Sequence, residues 1–375
     1  MSSMEVATGW VTGGAVGTDD RVVHGLTPAQ ALGEAIRPAL LRGPCVVEFS
    51  GGRDSSVVLA VACDVARREG LALPIPFTRR YPGLPEADED EWQELVIRHL
   101  GLTEWVRHVA PDEMDLLGSH ATASLRNWGL LWPPSAHTRQ AELALARGGS
   151  LLSGEGGDEV FGPQRLAVLR LLASRKLPMS RANVRQVALS VAPRRIRVER
   201  YRRRFELVPG FPWLQAGPLR RFTSALAEDA AAEPLDWRTS VRRHPWLRGV
   251  HLALHTLDLV AADADVLRLN PLLSTEFLGA LCEAGGVGGF SDRTTALQRL
   301  FPDLLPAPVL ARTTKCRFNR AVFGEQSRAF ASNWTGKGVD AELVNVDALK
   351  GAWSAPEPHA MSFTVLQSCW LAENG

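Results

Sequence analysis

The stretch VVEFSGGRDSSVVLAV, residues 46–61, constrains the fold more than any other part of the chain. An apolar run stops at two glycines, polar residues follow, and a longer apolar run begins. This pattern predicts a buried strand, a tight turn and a helix, because Gly51 and Gly52 can adopt backbone angles that other residues avoid. The N-terminus of the helix would then present free backbone N–H groups, which favour an anion such as phosphate.

The side chains of this turn indicate phosphate together with a divalent cation. Ser50, Ser55 and Ser56 supply hydroxyl groups that can donate hydrogen bonds. Asp54 would repel a bare phosphate, so its presence favours Mg²⁺ between the carboxylate and the phosphates. The turn has neither the Walker spacing nor G-x-G-x-x-G. An ordinary strand–turn–helix junction with Asp54 as the N-cap remains the alternative.

The flanking sequence predicts an α/β fold with a parallel sheet, because strands and helices alternate at short spacing. Thr27-Pro28 is typical of a helix start. Beyond about residue 165 the strand signals fade, and ADADVLRLNPLLSTEFLGALCEAG predicts helices. We divide the chain into a loose N-terminal extension (1–27), an α/β nucleotide-binding core (28–165) and a mostly helical substrate or lid region (166–375). The predicted elements are helix 28–42, strand 45–50, helix 54–69, strand 73–79, helix 86–100, strand 104–109, helix 136–148 and strand 150–154.

The composition excludes several classes of protein. The 375-residue chain has a formal net charge of +1, which gives no general reason to expect nucleic acid as a partner. It shows no signal peptide and no apolar run of about 18 residues, so no membrane span is expected. Five scattered cysteines without a CxxC pair argue against a zinc site or a disulfide framework and suit the cytoplasm. The arginine-rich segment 194–205 is either a solvated helix face or a docking patch for an acidic peptide or a phosphate.

A second glycine-rich turn, LLSGEGGDEVFG at 151–162, follows another predicted strand. It carries the carboxylates of Glu155, Asp158 and Glu159. Three carboxylates on a tight turn repel one another unless a cation or a proton lies close by. An acidic surface turn is the alternative, and the presence of two glycine-rich turns about 100 residues apart argues against it.

These stretches carry a resemblance to a known family. SGGRDS resembles the pyrophosphate loop of the ATP pyrophosphatase (PP-loop) superfamily, and SGEGGDEVFG resembles the signature of the asparagine synthetase family, with Pro163 in place of a second glycine. NPLLSTEF at 270–277 resembles the family's PFLD segment with Ser274 in place of the aspartate. LLPAPVLARTTKCRFNRAVFG at 304–324 resembles its LP-x-R-x-K-x-x-F segment. The resemblance covers roughly residues 30–325 and implies the adenine nucleotide α-hydrolase-like fold of that superfamily.

The resemblance also implies roles for individual residues. Asp54 and Asp158 would share Mg²⁺–pyrophosphate, Glu155 would lie by the reacting acyl group, and Lys315 would be the catalytic lysine. The family often has a further lysine about a dozen residues before LP, where this chain has Thr294 and Thr295 between Arg293 and Arg299. The residues expected to bind ATP or pyrophosphate are Phe49, Ser50, Gly51, Gly52, Asp54, Ser55, Ser56, Arg79, Ser153 and Gly154.

The implied activity is an ATP-dependent ligase that adenylates a carboxylate, releases pyrophosphate and couples the acyl group to an amine, with ATP and Mg²⁺ as cofactors. Only about 45 residues precede the first loop and position 2 is Ser2, so we expect no N-terminal glutaminase domain. The amine would come from free ammonia, from a partner subunit or from the substrate itself. The last of these is the chemistry of β-lactam synthetases and lasso-peptide macrolactam cyclases, relatives that usually keep a degenerate N-terminal domain.

The first choice is therefore an amide- or lactam-forming ligase of a natural-product or modified-peptide pathway. Its expected partners are a small-molecule or peptide carboxylate, an amine donor, and a partner protein or leader-peptide-binding protein; neither nucleic acid nor a membrane is expected. Three alternatives stay open: an asparagine synthetase-like enzyme that uses free or partner-supplied ammonia, a nucleotide- or tRNA-modifying member of the superfamily, and a non-catalytic nucleotide-binding accessory protein.

Overall fold

The computed structural model describes residues 1–17, 25–109, 111–162, 164–206, 210–314, 316 and 318–375. Among these residues, five strands form one parallel sheet in the order β3-β2-β1-β4-β5. The predicted parallel α/β fold is thereby confirmed. The strands are β1 (Cys45–Glu48), β2 (Ile75–Arg79), β3 (Val106–His108), β4 (Ser150–Leu152) and β5 (Leu267–Leu269).

The fifth strand corrects the sequence prediction, which assigned its segment to a helix. Leu267–Leu269 has only three residues, and Asn270 and Pro271 follow it. The strand pairs with β4, more than 100 residues earlier in the chain, at Leu151↔Arg268. A pairing so distant leaves no local pattern, because a three-residue strand is too short to show alternation. The sheet therefore draws on both halves of the chain.

The rest of the described chain is mostly helical, as the sequence predicts. The predicted helix at 136–148 is instead a 3-10 helix, Pro134–Thr138, followed by a short α-helix. The α-helices are α1 (Ser3–Thr8), α2 (Pro28–Leu40), α3 (Arg53–Glu69), α4 (Asp90–His99), α5 (Pro111–Met114), α6 (Ser119–Trp128), α7 (Gln140–Leu145), α8 (Gly157–Val160), α9 (Ala167–Ala173), α10 (Arg181–Val191), α11 (Arg194–Glu206), α12 (Ala216–Ala231), α13 (Trp237–Arg243), α14 (Arg248–Asp263), α15 (Thr275–Gly285), α16 (Arg293–Leu300), α17 (Ala307–Ala311), α18 (Asn319–Val322), α19 (Glu325–Asn333), α20 (Val346–Trp353) and α21 (Phe363–Asn374).

Helix α2 begins where the sequence predicts, for a visible chemical reason. The Thr27 hydroxyl accepts the backbone N–H of Gln30, and the Gln30 side chain accepts the N–H of Thr27, so a complete capping box precedes Pro28. Helix α3, by contrast, begins after Gly52 with no side chain capping its N-terminus. The N–H groups of its first turn are therefore left for another partner.

Helices cover both faces of the sheet. On one face, α2, α3 and α15 pack together over Val47 and Leu152. On the other face, residues of α7 and α14 pack against Val46 and Leu151. Strands buried on both faces explain the continuous apolar runs of β1 and β4. The carboxyl ends of the five parallel strands meet at one edge, which is where the two glycine-rich turns lie.

A second core lies away from the sheet and includes the N-terminal residues. Residues 1–27 were predicted as a loose extension, whereas the structure places the capped helix α1 there, with Ala7 buried against that core. The buried Glu5 carboxylate pairs with Arg248, and Ala15 forms an antiparallel bridge with Leu247. These contacts link the segment to α14, 230 residues away, which a local sequence pattern does not reveal.

The remaining surface features are simpler. In α11, Arg197 is buried and donates to the Ala231 carbonyl at 2.6 Å, while Arg202 and Arg203 pair with Glu199. Part of the arginine-rich segment thus has a structural role. All five cysteines are free thiols. Among the residues described, no helix combines the length and the apolar character needed to cross a bilayer.

Candidate active site

Hydrogen bonds of its own serines fix the conformation of the first glycine-rich turn. Gly51 has a φ of +79°, and a Cβ there would come within 2.7 Å of the Gln93 side chain, so the position requires glycine. The Ser55 hydroxyl lies 3.1 Å from the Ser50 hydroxyl and donates to the Gly52 carbonyl at 3.2 Å. These bonds hold the turn against the start of α3 and leave the N-terminus of that helix facing the cavity described below.

The second glycine-rich turn packs directly on the first. A Cβ on Gly154 would lie 2.7 Å from the backbone nitrogen of Ser55, and a Cβ on Gly157 would overlap the Asp54 carboxylate. The Ser153 hydroxyl donates to Asn270 at 2.9 Å and accepts the N–H of Glu155 at 3.1 Å. The glycines thus allow a contact that any side chain would prevent, and the two turns form one wall.

This packing brings together the two aspartates that the sequence assigns to a metal. The guanidinium of Arg293, at the start of α16, bridges the Asp54 and Asp158 carboxylates. Burial raises the pKa of Asp54, and the Arg293 charge opposes that rise. The two negatively charged carboxylates would repel each other without a cation between them, and Arg293 supplies that cation.

The geometry fits magnesium pyrophosphate at this point. One Asp54 carboxylate oxygen, Oδ1, is buried and has no hydrogen-bond partner. Among the described residues no cluster of three His, Cys, Asp or Glu side chains could hold a metal by itself. Two carboxylates completed by phosphate oxygens and water are a common arrangement for Mg²⁺. Asp54 and Asp158 would hold the ion, and the uncapped N-terminus of α3 would hold the phosphates.

Glu155 lies in a second cluster of charges beside the first. Its carboxylate accepts from Arg268 at 2.5 Å and lies 3.6 Å from Arg139. Arg268 also pairs with Asp258 of α14 at 3.0 Å. Arg139 pairs in turn with Glu48 at the end of β1. Two guanidiniums therefore orient Glu155, whose side chain is 35% exposed and open to a ligand.

The charges around Glu155 are largely paired. Burial by itself would raise the pKa of Glu48, but the neighbouring guanidiniums, led by that of Arg139, hold the pKa below its usual value. Arg79 pairs with the buried Glu142 and donates to the Thr138 carbonyl at 2.8 Å. Burial, together with the nearby carboxylates, raises the pKa of Glu159. Glu155 therefore combines pairing to two guanidiniums with access to the cavity.

Lys315 lies outside the described residues, but the residues on either side of it border the same site. Arg312 forms a buried, two-pronged ion pair with Glu89 and donates to the Gly51 carbonyl at 3.3 Å. The Phe318 ring packs on Tyr81 with centroids 5.4 Å apart. Breaking a buried ion pair of this kind costs about 3–5 kcal/mol. Arg312, three positions before Lys315, is thus anchored to the first glycine-rich turn.

A single cavity of about 1290 Å³ joins these features. Nine of the residues proposed from the sequence line it, namely Phe49, Ser50, Gly52, Asp54, Ser55, Arg79, Gly154, Glu155 and Asp158. Gly51, Ser56 and Ser153 lie behind this wall: the Ser56 side chain is fully buried, and its hydroxyl oxygen has no hydrogen-bond partner among the described residues. The structure thus brings most of the predicted set to one place and turns three members inward.

Sequence reasoning missed several residues of this wall. Arg139, Arg268 and Asp258 carry no recognisable motif, because each reaches the site from a different element. The sequence drew attention to Arg293 only because it lies next to Thr294 and Thr295, where the family often has a lysine. That missing lysine was the one signal in the sequence that could have pointed to Arg293. Ser274, in place of the family's aspartate, accepts the N–H of Phe277 at 3.2 Å and caps α15.

The comparisons agree with this geometry. A family model described as asparagine synthase matches residues 29–370, which is nearly the whole chain and includes every element of the site. A search of curated proteins finds no match. Since the match extends far beyond the two glycine-rich turns, a chance likeness of short motifs is ruled out. The chain therefore belongs to the asparagine synthase family, whose members are ATP-dependent carbon–nitrogen ligases.

Proposed function

We propose that this protein activates a substrate carboxylate by adenylation with ATP, releases pyrophosphate, and couples the acyl group to an amine. The coupling forms an amide or a lactam, and the setting is a natural-product or ribosomal-peptide pathway, with a lasso-type macrolactam as the sharpest candidate. The observation that carries the proposal is the meeting of Asp54 and Asp158 across Arg293, beside the uncapped start of α3 and next to Glu155.

The proposal assigns one task to each part of the wall. The N-terminus of α3 and the hydroxyls of Ser50 and Ser55 bind the phosphates through N–H and O–H donors. Mg²⁺, when bound by Asp54 and Asp158, neutralises the charge that builds up on the pyrophosphate. Arg293 pairs with the same two carboxylates and is a further source of positive charge near the phosphates. The carboxylate of the substrate then faces the α-phosphorus from the side of Glu155.

The amine step is assigned to Glu155. An amine that attacks the acyl carbon must lose a proton, and a carboxylate within hydrogen-bonding distance can accept it. Arg268 and Arg139 hold the Glu155 side chain in one orientation. An amine within the substrate would give a lactam.

The direct test is the release of pyrophosphate from ATP in the presence of candidate carboxylates, with hydroxylamine added to trap the activated acyl group. We expect AMP, pyrophosphate and a hydroxamate in equal amounts. Phosphate and ADP as products would contradict the adenylation step. Dependence on tRNA would favour a nucleotide-modifying enzyme instead, and turnover only with free ammonia would favour an asparagine synthetase-like reaction.

The variant Glu155→Gln is expected to separate the two half-reactions. Glutamine preserves the size of the side chain but cannot accept the amine proton, so adenylate should form while amide production falls on the order of 100-fold or more. Hydroxylamine trapping measures the first step, and mass spectrometry of the product measures the second. Glu159→Gln, in the same turn, is the matched control and should retain most of the adenylate formation and most of the amide production. Equal loss of hydroxamate and amide in Glu155→Gln would place Glu155 in the first step.

A second pair of variants tests the arginine that bridges the aspartates. Arg293→Ala removes the charge between Asp54 and Asp158, so we expect ATP affinity and pyrophosphate release each to fall about 10-fold or more. Arg299→Ala, on the same helix but exposed, is the control and should bind ATP normally. Calorimetric titration with ATP and Mg²⁺ measures the affinity. Normal binding by Arg293→Ala would mean that the arginine only balances charge in the unliganded protein.

A further inference from the structure

The cavity is larger than one nucleotide requires. Its volume of about 1290 Å³ exceeds the range of about 300–1,000 Å³ that is usual for a single small-molecule site. One end is the charged wall formed by the two glycine-rich turns. The other end, which the proposed chemistry has not used, is lined by the N-terminal segment, by residues before and within α12, and by α14. We call this end the apolar arm.

One face of α14 forms the floor of the apolar arm. Val250, Ala253, Leu254 and Leu257 all line the cavity, and their spacing of three and four residues places them on a single face of the helix. The next residue, Asp258, pairs with Arg268, which holds Glu155. The helix therefore leads from the far end of the arm to the group assigned to the amine step.

Other parts of the wall of the arm are also apolar. Trp10 and Val11 come from the N-terminal segment, and Phe211 and Leu226 come from the chain before and within α12. The N-terminal segment is fixed there, because Val16 donates to the Trp246 carbonyl at 2.8 Å and Gly13 donates to Asp229 at 2.8 Å. The arm is thus a built channel with walls from three parts of the chain.

The length of the floor limits what the arm can hold. From Val250 to Leu257 a helix rises about 10 Å, at about 1.5 Å per residue. An extended peptide covers that distance with about three residues, at about 3.3 Å each. A free aspartate or ammonia would cover little of this apolar surface and leave most of it in contact with water. Such a substrate would gain little of the favourable free energy that burial of the surface provides.

Charged groups within the arm favour a peptide over a plain hydrocarbon chain. The Asp229 carboxylate and the Arg243 guanidinium both line the arm, on α12 and at the end of α13. A hydrocarbon would displace water from these groups and offer no hydrogen bond in return, which is costly. The amides and termini of a peptide can donate to the carboxylate and accept from the guanidinium.

We propose that the apolar arm binds an extended peptide segment of at least three residues with apolar side chains, which presents its reacting group to Glu155. The inference rests on the proposed ligase function for its purpose, but binding in the arm can be measured without any turnover. The substrate class is then a peptide rather than an amino acid or a free fatty acid. Ala253 and Val250 become residues that determine specificity.

The test is direct binding to the full-length protein, followed by fluorescence anisotropy. The probes are three fluorescein-labelled compounds: a four-residue peptide of leucine, valine and phenylalanine, a four-residue peptide of serine, asparagine and glutamine, and a twelve-carbon fatty acid. We expect saturable binding of the apolar peptide, at least about 10-fold tighter than that of the other two. Equal affinity for the two peptides, tighter binding of the fatty acid, or no saturable binding would overturn the proposal.

Two substitutions in the arm and one control, all on α14, locate the binding. Ala253→Phe fills the arm and should weaken the apolar peptide at least about 10-fold, whereas Ala262→Phe, exposed on the same helix, should leave its affinity unchanged. Calorimetric ATP binding and thermal unfolding show whether each variant is folded. Val250→Asn adds a polar group without filling the arm. It should therefore reduce the difference in affinity between the apolar and the polar peptide, and it keeps the test valid if Ala253→Phe fails to fold. Unchanged peptide affinities in both arm variants would place the peptide elsewhere.

A failure of this inference can be told apart from a failure of the ligase assignment. If the apolar peptide binds as described but no acid yields pyrophosphate, the arm is real and the adenylation chemistry is wrong. If pyrophosphate is released with small acids while neither arm variant affects binding, the chemistry stands and the peptide class is wrong.

Discussion

Alanine at Asp54 or Asp158 is expected to abolish the release of pyrophosphate from ATP, with a loss on the order of 1,000-fold, while the protein stays folded. These are the two carboxylates that meet at Arg293, and no other described carboxylate pairs with that guanidinium. Without either one, the site would lose a carboxylate that could hold Mg²⁺ against the negative charge of the phosphates. The measurement is steady-state pyrophosphate release, with circular dichroism and thermal unfolding to check the fold.

The chain offers a matched control for this prediction. Asp64 lies on α3, the helix that carries Asp54, and pairs only at the surface with Arg68 at 2.9 Å. The Asp64→Ala enzyme should therefore release pyrophosphate at the wild-type rate, since exposed ion pairs of this kind contribute little to the stability of the fold. Wild-type pyrophosphate release from Asp54→Ala or Asp158→Ala would contradict the assignment of the site, whatever its agreement with the family.

Lys315→Arg is expected to reduce turnover about 100-fold or more, which is nearly as large a loss as we expect for Lys315→Ala. The chain contains only four lysines against 38 arginines, so a position that needed just a positive charge would most often be arginine. A lysine ammonium is compact, whereas an arginine guanidinium is a wide planar fork. A tight site beside the α-phosphate, as the family resemblance implies for Lys315, would accept the first and exclude the second.

The same variants should change ATP affinity much less than turnover, because the interaction strengthens mainly in the transition state. Calorimetry measures the affinity and pyrophosphate release measures the turnover. Lys337→Arg, at an exposed position, serves as the control and should behave as the wild type. A Lys315→Arg enzyme with near-normal turnover would remove Lys315 from the catalytic set and leave the two glycine-rich turns as the basis of the mechanism.

The sequence by itself determined the parts of this protein that depend on neighbouring residues. The strand, turn and helix around Gly51 and Gly52, the start of α2 at Thr27-Pro28, and the acidic turn at Glu155 each follow from patterns within about 16 residues. The alternation of predicted strands and helices at short spacing was sufficient to predict a parallel sheet.

Only the tertiary structure decided which distant residues complete the site. Arg293 reaches Asp54 across 239 positions, and Arg268 reaches Glu155 across 113, from a strand too short to be recognised. The apolar arm likewise joins the N-terminal segment to α14, although each segment alone shows only ordinary apolar residues. Local patterns encode backbone conformation and burial, whereas a partner for a buried charge or an apolar wall is fixed by how the whole chain packs. That is why the two turns were visible in the sequence and the Arg293 guanidinium between their aspartates was not.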